Sequence, residues 1–157
     1  SLPVSSTDHF DFWYTWLFVV AVLITAFGIA LAFLSGTRLF DLFNQQIDPT
    51  FWGIQNVARS SRDFQHWIYG VLGAVMAGWG SMLTFIVRHP FRAKESWAWW
   101  CIGAGILLWF LIDTMISLYF QVFFNVAFNL VILMAVALPL GMTMRHFRVR
   151  KGWERLT

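Results

Sequence analysis

Four long runs of apolar residues dominate the chain, at about 13–34, 67–87, 97–119 and 123–144. Each has about the 20 residues that an α-helix needs to cross the hydrocarbon core of a bilayer. None alternates apolar with polar positions, as a membrane-spanning strand does. The pattern therefore predicts an all-α, polytopic integral membrane protein in which residues 1–157 form one transmembrane domain, a bundle of four transmembrane helices.

The boundary between the third and fourth runs has to be inferred, because no proline occurs from Trp97 to Leu138. A single helix from Trp97 to Met144 would be about 70 Å long, more than twice the thickness of the hydrocarbon core. The chain must therefore turn within it. The least apolar stretch is 117–125, so we expect a tight hairpin near Phe120 and Gln121.

The segment after the first run predicts a short interfacial helix within an outer loop that spans residues 37–65. Apolar and polar residues are interleaved there at a spacing typical of a helix with one apolar face. Asp48 and Pro49 are expected to end this helix. The loop either lies along the membrane surface or forms a lid over a cavity that opens outward. Its apolar positions are Leu39, Phe40, Leu42, Phe43 and Ile47, and its polar ones are Arg38, Asp41, Asn44 and Gln45.

Local signals mark the ends of the next two helices. Ser61 and Ser96 are suited to begin the second and third helices, because hydroxyl side chains cap unpaired backbone N–H groups. His89 and Pro90 are expected to end the second helix, since proline disfavours a helical residue before it.

The composition agrees with a membrane protein. Apolar residues make up 59% of the chain and charged residues only 12%, whereas soluble domains have about 25% charged residues. So little charge does not cover a water-facing surface, and so much apolar character excludes disorder over most of the chain. Most of the ten tryptophans lie near predicted helix ends, as they do in the aromatic belts of membrane proteins.

The basic residues predict the orientation in the membrane. Eight of the eleven lie in the loop between the second and third helices or in the basic tail at 145–157. The positive-inside rule therefore predicts that both termini are cytoplasmic. The net charge of +3 is concentrated beside apolar segments, which indicates contacts with membrane lipids and no nucleic-acid partner. The eight residues are Arg88, Arg92, Lys94, Arg145, Arg148, Arg150, Lys151 and Arg155.

Polar residues inside the third and fourth runs give the candidate site. Asp113 is the only acid within a predicted span, and such a residue is by default a hypothesis of function. With a hairpin near Gln121, Asn129 lies at the same depth as Asp113, and Ser117 and Asn125 form a shallower pair. Asp113 and Ser117 are four residues apart on the third helix, and Asn125 and Asn129 are four apart on the fourth. The two residues on each helix therefore share one helix face.

The second helix is expected to complete a pocket around these residues. Its small residues allow close approach of a neighbouring helix. Asp113 and Asn129 would form the floor, and His66 and Tyr69 the outer edge. The small residues are Gly70, Ala74 and Gly78 in one stripe, and Gly73, Ala77 and Ser81 in another.

Two classes of function remain open. The first is a non-enzymatic membrane protein, either a module that binds a lipid or small ligand or a subunit of a larger membrane complex, with possible self-association. The second is a small membrane enzyme acting on a lipid or isoprenoid, with Asp113 as the acid and His66 or Tyr69 assisting. The sparse set of titratable groups favours the first. The alternative to any functional role is that Asp113 only fixes the helix register through hydrogen bonds.

No sequence motif identifies a cofactor. The chain has no metalloprotease, dinucleotide-binding, phosphate-loop or nucleophile-elbow pattern, so no metal site is predicted. His89 and His146 both fall at cytoplasmic helix ends and could ligate a haem. They lie among arginines, however, where a histidine cation complements the helix dipole, so haem is disfavoured.

Overall fold

The computed structural model describes residues 6–52 and 59–147, and these are almost entirely helical, with no strand among them. The five α-helices are α1 (Ser6–Leu34), α2 (Asp41–Trp52), α3 (Arg59–Ile86), α4 (Ser96–Tyr119) and α5 (Phe123–Thr143). Short 3-10 turns at Arg38–Phe40 and Met144–His146 and a π-helical turn at Val87–Phe91 join or extend them. The basic tail from residue 148 onward lies outside the described residues.

Four of the helical stretches are long and apolar enough to cross a membrane, which confirms the predicted all-α class and the number of long apolar helices. They are His9–Leu34, Ser61–Phe91, Ser96–Tyr119 and Phe123–His146. At most 28% of the residues in the apolar window of any of them are buried inside the protein. The outer surface of the four helices is therefore largely apolar.

The long helices begin and end close to the predicted positions, with one consistent difference. α1 begins at Ser6 and α3 at Arg59, each earlier than the apolar run that it contains. Polar residues continue the helix beyond the apolar run, because backbone hydrogen bonding needs no apolar side chain. α3 thus takes in the last part of the predicted outer loop, whereas α4 and α5 begin and end within one residue of prediction.

Pro49 does not end its helix as predicted, whereas the second long helix does end close to His89 and Pro90. Pro49 lies inside α2, which continues to Trp52. Pro90 lies inside the π-helical turn that extends α3 to Phe91, where the N–H of Arg92 donates to the carbonyl of Val87 at 3.2 Å. This wider turn continues the chain past a residue without an N–H, as π-bulges do. A turn follows at residues 92–94, in which Lys94 has a positive φ of 61°.

The turn between α4 and α5 falls at the position predicted for the hairpin. Residues 120–122 form it, and Gln121 has a φ of 59°. The N–H of Val122 donates to the carbonyl of Ser117 at 2.8 Å. We call this end of the molecule the hairpin end, and the opposite end, with residues 92–95, the loop end.

α1 occupies the centre of the packing, since it contacts α3, α5 and the π-helical turn, while α4 packs against α5. Leu17 and Ala21 of α1 are fully buried in the main apolar core. At the loop end this core includes the rings of Phe10, Phe91 and Phe147, with the last two centred 4.7 Å apart.

The short helix α2 follows α1 at the hairpin end, as predicted. Among the five apolar residues that the sequence analysis names in this segment, Phe40 is buried against Leu31 and Tyr69. The side chains of the other four, namely Leu39, Leu42, Phe43 and Ile47, lie outside the described part of the structure.

Candidate functional site

Four polar side chains from α4 and α5 meet at one carboxylate. Oδ1 of Asp113 accepts hydrogen bonds from Nδ2 of Asn125 at 2.6 Å, from Nδ2 of Asn129 at 2.7 Å and from Oγ of Ser117 at 3.1 Å. Asn125 also donates to Oγ of Ser117 at 2.8 Å. We call these four residues the polar quartet. All four had been predicted from the sequence as one ladder.

The local sequence explains how the polar quartet assembles. The tight turn at residues 120–122 makes α4 and α5 antiparallel neighbours. Residues four apart share a helix face, so Asp113 and Ser117 of α4 meet Asn125 and Asn129 of α5 across the helix contact. Asn129 is 1% exposed and Ser117 is 7% exposed, whereas Asp113 and Asn125 are only half-buried. The polar quartet therefore has a buried side and an open side.

The open side faces a cavity between α3 and α4, in the half of the molecule nearer the hairpin end. This α3–α4 cleft has a volume of about 870 Å³, which is within the range of about 300–1,000 Å³ that small-molecule sites occupy. Asp113, Ser117 and Asn125 line it, and most of the remaining lining is apolar. The apolar walls include Ile68, Leu72, Leu108, Ile112 and Ile116.

Aromatic pairs lie at both ends of the α3–α4 cleft. Toward the loop end, the ring of Trp109, which lines the cleft, stacks on Trp79 of α3 with centroids 5.9 Å apart. Toward the hairpin end, Phe51 of α2 and Phe120 of the turn both line the cleft, with centroids 6.0 Å apart. α2, through Phe51 beyond the expected end of the interfacial helix, thus supplies part of the cleft wall.

A second polar group lies on the α3 side of the cleft. Nε2 of Gln65 donates to Oδ1 of Asp48 at 2.9 Å and to the hydroxyl oxygen of Tyr69 at 3.1 Å. Gln65 and Tyr69 both line the cleft, and Tyr69 is buried. This network connects α2 to α3 beside the cleft.

His66 does not join the candidate site. Its side chain is exposed and is not part of the cleft lining. Its imidazole lies beside Gly36, in the turn after α1, where Cε1 would be 3.3 Å from a Cβ built on that glycine. One residue along a helix is a rotation of about 100°, which is why Gln65 faces the cleft and His66 does not.

Gly73 and Ala77 of α3 form a close helix contact, as predicted for small residues, but the helix that they contact is α1. Gly73 is buried against α1, and a Cβ built on it would lie 2.5 Å from the carbonyl oxygen of Gly28. Ala77 also contacts Gly28, while a Cβ on Gly70 would only touch Ala32 at 3.9 Å. These residues therefore form the contact with α1 and do not edge the polar quartet.

Ala74 and Gly78, from the predicted stripe that also contains Gly70, do not form a helix contact within the described structure. Ala74 and Gly78 are exposed, and a Cβ built on Gly78 meets no atom within 4 Å. They lie on the side of α3 turned away from α1, because neighbouring positions in a helix point in different directions.

Gln65, Trp109 and Phe51 line the cleft, and the sequence analysis missed all three. Spacing gives the signal for two of them. Gln65 lies four residues before Tyr69, and Trp109 lies four residues before Asp113, so each shares a helix face with a predicted residue. No signal of this kind exists for Phe51, because it comes from a separate helix.

The histidines considered for haem have separate aromatic neighbours at the loop end. His89 is exposed and stacks on Phe85, with ring centroids 6.3 Å apart. His146 lies against Phe10 at 5.2 Å. Within residues 6–52 and 59–147, no group of three or more His, Cys, Asp or Glu side chains is placed to hold a metal ion.

Comparison with family models, curated proteins and solved structures finds no match to this chain. The chemistry of the α3–α4 cleft therefore has to carry the functional argument. The cleft combines an apolar wall with one carboxylate and two amides, which can orient a bound molecule through hydrogen bonds. Its described lining contains no lysine, arginine or histidine.

Proposed function

We propose that this chain is an integral membrane protein that binds an amphipathic small molecule or lipid in the α3–α4 cleft. The four long helices cross the bilayer as a bundle, and α2 lies at the membrane interface. The loop end, with most of the basic residues, faces the cytoplasm, so both termini are cytoplasmic. The cleft then lies in the outer half of the membrane.

The main support for this proposal is that the polar quartet lies beside a cavity. A hydrogen-bonded cluster that only fixes the register of two helices needs no space around it. Here Asp113, Ser117 and Asn125 all contribute to the wall of an apolar cleft of about 870 Å³. A few converging polar groups in an apolar cavity are typical of small-molecule sites.

The arrangement favours binding over catalysis. The predicted acid–base mechanism needs His66 or Tyr69 to assist Asp113 near the reacting atoms. Of the two assistants predicted for Asp113, His66 lies outside the cleft and Tyr69 is held in the network with Gln65. We therefore favour a binding module over an enzyme.

The test is to purify the protein in a mild detergent and to identify co-purifying molecules by mass spectrometry. Gly105 lines the cleft, and a Cβ built on it meets no atom within 4 Å, so Gly105→Phe would fill the cleft without a clash at Cβ. Gly78→Phe is the matched control, because Gly78 is equally open but lies outside the cleft lining.

We expect a lipid or small molecule at about one per chain, lost from Gly105→Phe and retained by Gly78→Phe. Equal amounts in both variants would contradict the proposal. A second polypeptide that co-purifies and cross-links to a cysteine placed at Leu108 would also contradict it. The cleft would then be a contact between subunits.

A further inference from the structure

We propose that the α3–α4 cleft selects a lipophilic cation, a molecule with an apolar body and a positively charged group. This inference rests on the proposed function and specifies the charge of the ligand. Apolar walls alone would accept any molecule of suitable size, so the charge preference has to come from the polar groups. Asp113 is the one charged residue in the described lining.

The charge of the Asp113 carboxylate favours a cationic ligand. A carboxylate inside a membrane-spanning segment is costly when no opposite charge accompanies it. Within the described lining of the cleft, no lysine, arginine or histidine accompanies Asp113. A cationic ligand would supply the missing charge, whereas an anionic ligand would add to the imbalance.

The two oxygens of the Asp113 carboxylate differ in their hydrogen bonding. All three hydrogen bonds from the polar quartet converge on Oδ1 of Asp113. Oδ2 receives no hydrogen bond from the described residues, and Asp113 lines the cleft. The protein therefore holds one oxygen firmly and leaves the other as an acceptor for a bound molecule.

The wall of the cleft is rich in aromatic side chains. Cations are attracted to the faces of aromatic rings, and aromatic cages recognise quaternary ammonium groups in this way. Rings from α2, α3, α4 and the hairpin turn surround the same cavity as the carboxylate. They belong to Phe51, Phe64, Tyr69, Trp109 and Phe120.

A second acid lies next to the cleft. Asp48 of α2 is half-buried and accepts a hydrogen bond from Gln65, whose side chain lines the cleft. The Asp48 carboxylate is therefore one side chain away from the cleft, on the α2 side. Fixed charges of one sign along a low-dielectric passage raise the local concentration of the opposite charge.

The experiment compares two ions of nearly equal size and opposite charge. Tetraphenylphosphonium and tetraphenylborate are measured by equilibrium dialysis against the full chain in phosphatidylcholine nanodiscs, with empty nanodiscs subtracted. Asp113→Asn removes the cleft charge and keeps an Oδ1 acceptor. Asp63→Asn is the matched control, because Asp63 is exposed and outside the cleft lining.

We expect the phosphonium ion to bind at one site per chain and the borate ion not to bind. Asp113→Asn should weaken phosphonium binding about tenfold or more, which is about 1.4 kcal/mol, and Asp63→Asn should leave it unchanged. The comparison of the two ions on the unaltered chain needs no variant, so it stands even if Asp113→Asn fails to fold.

The other outcomes separate this inference from the proposed function. Equal binding of both ions, lost from Gly105→Phe, would overturn the charge preference and leave the cleft as a binding site. Binding of neither ion, with a neutral lipid that is lost from Gly105→Phe, would do the same. Binding of neither ion and no effect of Gly105→Phe on any bound molecule would overturn both proposals.

Discussion

At the scale of single residues, the central feature is that three donors share one oxygen of Asp113. Hydrogen bonds between membrane helices stabilise by about 0.6 kcal/mol on average. Leaving a buried donor without its acceptor costs more, about 1–3 kcal/mol. This cost should be largest for Asn129, because its side chain is almost fully buried. The stability contributed by the polar quartet therefore depends on the presence of Oδ1.

Two substitutions at Asp113 separate its acceptor role from its charge. Asp113→Leu should lower the free energy of unfolding by about 1–3 kcal/mol, because Asn129 loses its 2.7 Å hydrogen bond inside the protein. Asp113→Asn should cost less, because its side-chain oxygen can still accept. Thermal unfolding in detergent measures both. Equal losses would show that the charge, and not the acceptor, holds the two helices together.

The sequence predicted which residues form the polar quartet but not everything around it. Depth and helical spacing were sufficient for α4 and α5, because a tight turn fixes how those two helices face each other. Tyr69 was placed correctly at the cleft and His66 was not. The rotation of α3 depends on which small residues contact α1, and the sequence offered two stripes of them without a choice between the two.

At the scale of helices, the contact of α1 with α3 depends on small residues from both. A Cβ added at Gly28 or Gly73 would meet the backbone of the opposite helix. Gly80 is similar, since a Cβ there would lie 2.6 Å from Oγ1 of Thr25. Small residues allow two helix backbones to approach this closely. This close contact positions the α3 wall of the cleft relative to the rest of the protein.

Gly73→Ala is expected to destabilise the protein by about 1–3 kcal/mol, because backbone atoms of α1 would have to move. Gly78→Ala is the control on the same helix. It adds the same methyl group in open space, so helix propensity should make it neutral or stabilising by up to about 1 kcal/mol. Chemical unfolding of both variants in one detergent gives the comparison. Similar effects at the two positions would contradict the described packing of α3.

Helix positions were largely predictable, and their ends were less so. The apolar runs gave the number of long helices and the limits of α4 and α5, because those helices contain little besides apolar residues. The same runs gave late starts for α1 and α3, which begin with polar turns. The prediction at Pro49 was wrong, since α2 continues to Trp52, whereas the π-helical extension of α3 ends one residue after Pro90. A proline limits the local geometry, but a helix can continue past it when the turn widens or the lost hydrogen bond is at the surface.

At the scale of the whole molecule, charge and apolar surface are separated along the axis of the helices. In the described residues, Asp113 is the only charged side chain within α4, and α5 has none. The described basic residues Arg88, Arg92, Lys94 and Arg145 lie toward the loop end and are exposed. In the proposed orientation they meet the cytoplasmic headgroups of the membrane.

Labelling of single cysteines tests this orientation in a Cys101→Ala background, which removes the only native cysteine. Thr37→Cys lies at the hairpin end and Lys94→Cys at the loop end, and both positions are exposed. A membrane-impermeant maleimide should label Thr37→Cys on intact cells and Lys94→Cys only after permeabilisation. The reverse pattern would invert the proposed orientation. Labelling of both on intact cells would contradict a membrane-spanning arrangement.

The connections between the helices also determine the order in which contacts can form during synthesis. α4 and α5 are joined by residues 120–122 alone and can pair as soon as both have been made. α1 is separated from α3 by residues 35–58, so a ribosome working from the N-terminus delivers α1 long before its main partner. Until then, the backbone at Gly28 has no side chain to cover it and no second helix against it. α1, which becomes the centre of the finished protein, thus spends the longest time without its helix contacts. It therefore depends most on its surroundings during assembly.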